Sequence, residues 1–546
     1  MPWDITAIIL VVGLMLFYYT GVVASDDLGY LRVWENFPTP PAAGPLGCDW
    51  YFPCRFVHWI PLTLATAILP NHPWAMGAAS LVGAIVLLLT IRSFARRHLG
   101  LGEIPTAGAV LAFGLMPTMV LSSSVALPDL TAAVLAWLGI SVVAPALLER
   151  EARHAVLRCL AGGFLIAVGY NAKESTLALV AGLGLFVLLC RTRCAWAWWR
   201  SLLLVSGAGL WLGIETLVLW IVTGRPLAHL EAVRAAHRAC HNPNVQMTIT
   251  GLLSYWTDYV RWLADAGSDY GLTGPVTLVA AVAVVVWRRA AGYLLLCVLL
   301  PVSVYLSVGS VEWKQYVPIF HQSHYLVVVL PALALMVGMM LQHLQGTFAR
   351  STRWMVPAMI VICALSFTGP DRMANKWSNA KTFAAGYELI SGCEALSEPS
   401  ARLVAAGLTR NRFACLPRWL DCPQVELALP APTTREEWVR RYGGAYVITT
   451  RFDRVGDGLA KHDRLTLMGP SMAALSTFER IARREPYRDR SSRTWAHITG
   501  QPAPTVPGLA VELWRVPKSL HEPPPPASGG VQSATTATRA DVASPY

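Results

Sequence analysis

Two adjacent carboxylates, Asp26 and Asp27, follow the first long apolar run of the chain. Neighbouring carboxylates at the edge of an apolar environment repel each other, so one pKa rises while the other group stays ionised. That combination suits general-base catalysis, in which a carboxylate accepts a proton from an attacking hydroxyl. The alternative interpretation is structural: the two charges end a helix and solvate its last turn.

Three further charged groups stand where apolar runs begin or end. Asp129 follows Pro128 at the start of one run, where it either caps a helix or takes part in chemistry. Lys173 and Glu174 share a short turn between two runs. The lysine there either holds a phosphate as a point charge or forms a plain ion pair.

Two histidines and a glutamate complete the set. His321 and His324 stand at the entrance of a late apolar run, and Glu215 lies deep inside a long one. Ionisable groups in membrane-length apolar runs are costly, so each is a functional candidate by default. Glu215 has no evident structural role unless it is neutral and hydrogen-bonded.

The composition indicates what must position these groups. The 546 residues are 54% hydrophobic and 14% charged, with a net charge of +11, whereas soluble domains carry about 25% charged residues. Residues 1–370 hold 37 of the 77 charged residues, and the shorter segment 371–546 holds 40. This pattern predicts a polytopic α-helical membrane protein with a small soluble C-terminal domain. It argues against fibrous, disordered and nucleic-acid-binding proteins.

The orientation follows from the basic residues. Before residue 371 the chain has 21 basic residues, and 13 of them fall in short turns that occupy every second connection between the apolar runs. The positive-inside rule places those turns in the cytoplasm. The N-terminus is then cytoplasmic, and loops 25–71 and 224–272 and the C-terminal domain are periplasmic. Runs near the ~20 residues that span a bilayer predict about 11 transmembrane helices, at 5–24, 72–91, 104–121, 126–147, 157–170, 175–190, 201–223, 273–287, 291–308, 324–342 and 354–369.

Two segments near the N-terminus have alternative interpretations. The first run ends in a passable signal-peptide cleavage site, but it lacks a basic leading region and is too long, which favours a membrane span. Phe56–Pro70 is apolar yet short and contains His58 and Pro61. Counting it as a span reverses every later loop, so we predict an interfacial or re-entrant helix on the outer face.

The C-terminal segment 371–517 predicts a small α/β domain. Period-two apolar patterns indicate strands at 402–408, 445–452 and 509–516, and longer periods indicate helices at 435–442 and 472–484. The tail, residues 518–546, is rich in Pro, Ser, Ala and Thr, which predicts disorder.

Six of the eleven cysteines fall in predicted external segments, where disulfides persist. The pairs Cys48/Cys54 and Cys415/Cys422 are close enough in sequence to staple loops, and we predict a Cys48–Cys54 disulfide. A zinc site is less favoured because no CxxC or HxxxH spacing accompanies them.

Six short motifs follow one another over about residues 1–345. They are Asp26-Asp27-Leu-Gly-Tyr30, Trp59-Ile-Pro61-Leu, Arg96-Arg-His-Leu-Gly100, Pro128-Asp129-Leu, Ala172-Lys173-Glu174, and His324-Tyr325 followed by Pro331. In their order and spacing the chain resembles the GT-C superfamily of membrane glycosyltransferases, in particular bacterial relatives of protein O-mannosyltransferases and the aminoarabinose transferase of lipid A. Two departures from the family pattern are Asp27 in place of Glu and Glu174 where Gly is common.

The resemblance implies transfer of a sugar from a polyprenyl-phosphate donor to an acceptor hydroxyl of a glycan, lipid or protein. The reaction takes place at the periplasmic face of a bacterial inner membrane and inverts the anomeric carbon. No cofactor is expected, and a divalent metal is left open. The implied catalytic carboxylates are Asp26 as base with Asp27 and Asp129, the phosphate ligands are Lys173, His321 and His324, and the substrate-binding residues are Tyr30, Glu174 and Tyr325.

Two other functions fit parts of the pattern. A membrane transporter or lipid flippase would use Glu215 as its coupling site, but such proteins often show repeated halves and helices broken at matching positions, which this chain lacks. A non-catalytic scaffold that presents the C-terminal domain is the other alternative. The acidic and basic candidates fall at one predicted face, which favours the transferase.

Overall fold

The computed structural model divides into two compact units, one within residues 1–372 and one made mainly of residues from 373 onward, to which residues 69 and 72–75 also belong. It describes residues 2–19, 21, 29–31, 33, 37–41, 46–69, 72–149, 151–189, 197–239, 248–287, 290–310, 316, 318–319, 321–347, 357–358, 361, 378–398, 400–406, 413, 416–420, 422–428, 432–452, 474–475, 477–485 and 509–522.

The first unit is helical. Its apolar runs fold as helices because a helix satisfies its own backbone hydrogen bonds, which an apolar surrounding requires. In chain order the helices are α1 (Trp3–Phe17), α2 (Phe56–Ile68), α3 (Ala75–Arg97), α4 (Glu103–Gly114), α5 (Pro117–Ser124), α6 (Pro128–Leu148), α7 (Ala155–Ala172), α8 (Leu177–Leu189), α9 (Ala197–Thr223), α10 (Ala228–Ala239), α11 (Ile249–Trp256), α12 (Asp258–Ala264), α13 (Thr273–Trp287), α14 (Ala290–Val308) and α15 (Leu330–Thr347).

Ten of the eleven predicted spans coincide with helices, and the eleventh, 354–369, lies almost wholly outside the described residues. Among the described helices, five are long and apolar enough to cross a membrane, or six if α4 and α5, bent by 67°, form one span. The chain is therefore a multi-pass helical membrane protein, and the count of eleven stays a prediction. The predicted interfacial segment is also helical, as α2, with Pro61 inside it.

Small residues let the central helices approach closely. A Cβ on Gly139 of α6 would lie 2.7 Å from the carbonyl oxygen of Gly162 on α7. On another side of α7, a Cβ on Gly163 would collide with the Leu204 carbonyl of α9. Glycine at such contacts is typical of membrane helix pairs, whose association depends on close packing. These contacts fix α7 between α6 and α9.

The start of α1 is tied to the end of α3. Arg92 Nε donates a hydrogen bond of 2.8 Å to Asp4 Oδ2, and the Nε of Arg96 lies 4.0 Å from the same oxygen. Asp4 is fully buried, so its charge needs such a partner. The N-terminus therefore lies at the end of the helical unit that carries the arginine-rich turn after α3.

The second unit contains helices α16 (Ser378–Ser391) and α17 (Arg435–Tyr442) and a mixed sheet of order β2-β1-β3-β5-β4. Strand β1 pairs in parallel with β2 and β3, while β5 pairs antiparallel with β3 and β4. Thr434 caps α17 by accepting a hydrogen bond from the Glu437 N–H, and Trp438 packs on the sheet core. The strands are β1 (Leu403–Ala405), β2 (Val425–Leu427), β3 (Tyr446–Phe452), β4 (Glu479–Arg484) and β5 (Leu509–Arg515).

Within the sheet unit, three predicted strands and the helix at 435–442 are confirmed, but the helix at 472–484 is wrong, since Glu479–Arg484 is strand β4. A bulge between Arg480 and Ala482 shifts the register of β4 against β5. Arg480 and Arg483 therefore both reach the buried Glu512 of β5, at 3.3 and 3.5 Å. In a regular strand, residues three apart face opposite sides, whereas in a helix they share a face. Because the bulge brings Arg480 and Arg483 to one face, their spacing in the sequence resembles that of a helix.

Candidate active site

The turn between α7 and α8 carries two charged side chains that enter different ion pairs. Helix α7 ends at Ala172, and Lys173 leaves it with an extended backbone (φ −151°, ψ 124°) before the short 3₁₀ turn Glu174–Thr176. Because successive side chains of extended backbone point in opposite directions, Lys173 and Glu174 reach different partners.

Lys173 pairs with Asp129, which stands in the first turn of α6. The Lys173 Nζ lies 3.3 Å from Asp129 Oδ1, and both residues are buried, 6% and 1% exposed. The Nε2 of His324 lies 3.7 Å from the other oxygen, Asp129 Oδ2. The Nζ also lies 3.4 Å from the ring centroid of Tyr325, a cation–π contact. The structure thus brings together four predicted site residues from three separate parts of the sequence.

Helix α6 also holds the turn that carries His324 and Tyr325. This turn is a 3₁₀ helix, Ser323–Val328, directly before α15. The indole N–H of the buried Trp137 donates to the carbonyl of Val328 at 2.8 Å. Trp137 lies about two turns after Asp129 on the same helix. One helix therefore positions both the carboxylate and the histidine turn.

The second ion pair joins Glu174 to Arg55, a residue that the sequence interpretation missed. The Nη2 of Arg55 lies 2.6 Å from Glu174 Oε1, and its Nη1 donates to the Tyr30 hydroxyl at 3.1 Å. The guanidinium stacks 3.9 Å from the Tyr51 ring centroid, and Arg55 is 1% exposed. An arginine directly before the apolar stretch that forms α2 was the available signal. Predicted substrate residues Tyr30 and Glu174 thus meet through Arg55.

The ionisation of Glu174 follows from its partners. Burial alone would raise its pKa, but Arg55, a hydrogen bond from His229 and the charge of Lys173 hold it well below the usual range. The pKa of Tyr51 rises well above its ordinary value, chiefly because of burial. Glu174 is therefore an anion and Tyr51 a neutral hydroxyl in this site.

His229 of α10 connects this pair to the glutamate inside α9. Its Nδ1 lies 2.6 Å from Glu215 Oε1 and its Nε2 lies 3.3 Å from Glu174 Oε1. Burial lowers the pKa of His229, but the hydrogen bonds to the two carboxylates outweigh burial and raise it. The Nδ2 of Asn171 donates to Glu215 Oε1 and to the Cys54 carbonyl, both at 2.9 Å. Glu215 therefore has a structural role that the sequence did not reveal.

His321, predicted as a phosphate ligand beside Lys173, instead faces Asp258. Its Nδ1 lies 3.3 Å from Asp258 Oδ2, and its ring stacks on Tyr255 with centroids 3.7 Å apart. Burial lowers the pKa of His321, although Asp258 opposes that effect. Of the two predicted histidines, His324 is the one in ion-pair distance of Asp129.

Asp26 and Asp27 lie outside the described residues. Cys54 is a free, buried cysteine, so the predicted Cys48–Cys54 disulfide is not formed in the structure. Its thiol belongs to an apolar cluster with Trp50 and Leu219, and burial raises its pKa to about 12. A thiol that stays protonated is poorly suited to disulfide exchange.

Over the described ranges, no group of three or more His, Cys, Asp or Glu side chains is arranged to hold a metal ion. The described site is instead built from two neighbouring cation–carboxylate pairs, Lys173–Asp129 and Arg55–Glu174.

Comparison with solved structures finds a fold similar to that of this chain. The crystal structure of ArnT from Cupriavidus metallidurans, in the apo state and bound to undecaprenyl phosphate, aligns with a TM-score of 0.51 and 12% identity over 95% of this chain and 98% of that one. The oligosaccharyltransferase AglB from Archaeoglobus fulgidus, in complex with an inhibitory peptide and a dolichol-phosphate, aligns with a TM-score of 0.40 and 9% identity over 94% and 88% of the chains. No protein-family profile and no curated protein sequence matches this chain.

Proposed function

We propose that this chain, whose fold is similar to that of ArnT and whose motifs resemble the GT-C superfamily, is a glycosyltransferase. It moves a sugar from a polyprenyl-phosphate donor to an acceptor hydroxyl. The observation that carries the proposal is the turn at Lys173 and Glu174, where two buried cation–carboxylate pairs stand side by side. The ArnT structure with undecaprenyl phosphate supports a lipid of the same class as donor carrier.

The two buried cations are the proposed phosphate ligands. In a departing polyprenyl phosphate, negative charge develops on the oxygen that leaves the sugar, and fixed cations in a water-poor site stabilise it strongly. Lys173 contributes a point charge that Asp129 and the Tyr325 ring hold in place. Arg55 contributes a fork whose Nε is buried without a hydrogen-bond partner among the described residues, so that it retains a donor for a phosphate oxygen.

The proposed reaction is one displacement. The acceptor oxygen forms a bond to the anomeric carbon, the bond from that carbon to the phosphate oxygen breaks, and polyprenyl phosphate leaves with the electron pair. The proton of the acceptor hydroxyl passes to Asp26 as general base. Asp27 binds sugar or acceptor hydroxyls beside it. A single displacement without an enzyme nucleophile inverts the anomeric carbon.

The site is proposed to face the periplasm of a bacterial inner membrane. The arginine-rich turns mark the cytoplasmic end by the positive-inside rule, and Asp4 ties the N-terminus to Arg92 at that end. Asp129 begins α6, whose last residue, Leu148, precedes another arginine-rich turn. The proposed site therefore belongs to the opposite end. The C-terminal domain is proposed to be periplasmic because eleven predicted spans separate it from a cytoplasmic N-terminus.

The transporter alternative rested on an unexplained Glu215. Hydrogen bonds from Asn171 and His229 to its Oε1 make this carboxylate part of the framework behind Arg55 and Glu174, while its Oε2 is buried without a hydrogen-bond partner among the described residues. The transferase accounts for more of the buried charges.

Donor binding tests the phosphate assignment. Lys173→Ala should weaken binding of a polyprenyl-phosphate sugar by roughly tenfold to a hundredfold, the usual range for a charged hydrogen bond. The matched control is Arg225→Ala, since Arg225 pairs with Glu231 at 3.3 Å outside the cluster. The measurement is a binding titration of purified, folded variants. Equal affinity of Lys173→Ala and wild type would refute Lys173 as a phosphate ligand.

A further inference from the structure

A groove at the arginine-rich end of the helical unit plays no part in the proposed reaction. It has a volume of about 760 Å³ and lies between α3, α6 and α7. Leu138 and Val142 of α6 and Leu157 of α7 line its apolar part. Leu157 is 66% exposed, so the groove is open at the side of the helical unit and not sealed in its core.

Two arginines stand at this groove with little to neutralise them. Arg97 ends α3, and Arg158 lies in the first turn of α7. Within the described part of the chain, Arg97 makes no hydrogen bond or ion pair, and Arg158 uses its Nε to donate to the Arg153 carbonyl at 3.1 Å. Glu149 is the one carboxylate among the lining residues. The groove thus combines an apolar wall with cationic groups available to an external anion.

The backbone beside the groove is strained. His154, also a lining residue, has φ 57° and ψ 35°, the left-handed region that non-glycine residues rarely adopt. Among the described residues it is the one non-glycine residue with positive φ. Strain of this kind persists where the surrounding structure requires it, often at binding sites.

We propose that this groove binds an anionic phospholipid, with its phosphate at Arg97 and Arg158 and an acyl chain along Leu138, Val142 and Leu157. An apolar wall beside cations complements an amphiphile with an anionic head, and basic pockets between membrane helices bind such headgroups. A zwitterionic phospholipid fits less well because its own cation opposes the two arginines.

The test compares phosphatidylglycerol with phosphatidylcholine of the same chains by native mass spectrometry of the purified protein. We expect the wild type to retain phosphatidylglycerol roughly tenfold to thirtyfold more, from two cation–phosphate contacts. The double variant Arg97→Gln/Arg158→Gln should lose this preference. Arg153→Gln, which removes an exposed arginine in the same turn, should keep it. Glu149→Gln should increase the preference for phosphatidylglycerol, because it removes a negative charge that repels the anionic headgroup.

Glycerol phosphate, which has no acyl chains, distinguishes a lipid site from a simple anion site. In excess it should leave phosphatidylglycerol bound, and displacement by it would overturn the lipid assignment. The proposal would also be overturned by equal retention of the two lipids in the wild type. The proposal would likewise be overturned if Arg153→Gln lost as much of the preference for phosphatidylglycerol as the double variant does.

Discussion

At the residue scale, Asp129 lies within ion-pair distance of both Lys173 and His324. A carboxylate in this place offsets the charge of the buried Lys173, which would be costly without a partner. We therefore assign Asp129 to positioning the phosphate ligands. We propose Asp26, which follows the first predicted span, as the group that accepts the proton.

Asp26→Asn keeps the shape of the side chain but removes its ability to accept a proton. Turnover should fall by roughly 10²–10⁴-fold, the usual share of general-base catalysis, while donor affinity changes little because the phosphate is held elsewhere. Asp265→Asn, at an outer-loop carboxylate, serves as control. The measurement is the rate of sugar transfer from a labelled donor. A near wild-type rate for Asp26→Asn would contradict Asp26 as the base and make Asp129 the next candidate.

His229 provides a pH-dependent contribution to stability. Its folded pKa is raised above the ordinary 6.5 by the hydrogen bonds to Glu174 and Glu215, which outweigh burial. The folded state therefore holds this proton more tightly than the unfolded chain. The resulting stabilisation is complete below pH 6.5 and is lost as pH rises through the folded pKa. The Tm of the wild type should fall more steeply above pH 6.5 than that of His229→Asn, and parallel curves would contradict this.

At the element scale, the sequence predicts the helices better than the site. Apolar runs of membrane length leave few alternatives to helix, so ten predicted spans coincide with helices. Strand β4 was missed because its bulge brings Arg480 and Arg483 to one face. Arg55 and His229 were missed because the partner they share, Glu174, lies 119 and 55 residues away from them in the sequence. Long-range pairs of this kind have no local signal.

The packing of α7 gives a prediction about elements. Gly163→Val places a side chain against the Leu204 carbonyl of α9, which is backbone and cannot yield without moving the helix. Overpacking of this kind costs roughly 1–3 kcal/mol, so thermal stability in detergent should fall. Gly209→Val is the matched control, because nothing lies within 4 Å of its added Cβ. Equal melting temperatures for the two variants would show that this close contact is not needed.

At the scale of the whole molecule, the proposed mechanism depends on which side of the membrane the site faces. Reporter fusions at residues 45, 240 and 400 should be active with alkaline phosphatase, which requires the periplasm, and silent with a cytoplasmic reporter. This expectation rests on the 13 basic residues in every second turn between the predicted spans, which the positive-inside rule assigns to the cytoplasm. The opposite result at residue 400 would reverse the topology and remove the periplasmic mechanism with it.

The most direct test of the central claim is sugar transfer by the purified protein in liposomes. Labelled polyprenyl-phosphate sugar is the donor, and envelope material from the cells that naturally produce this protein supplies the acceptor. We predict labelled product whose anomeric configuration is opposite to that of the donor, with strongly reduced yield for Lys173→Ala and wild-type yield for Arg225→Ala. Retained configuration, or label that stays entirely on the polyprenyl phosphate with folded wild-type protein, would contradict the account.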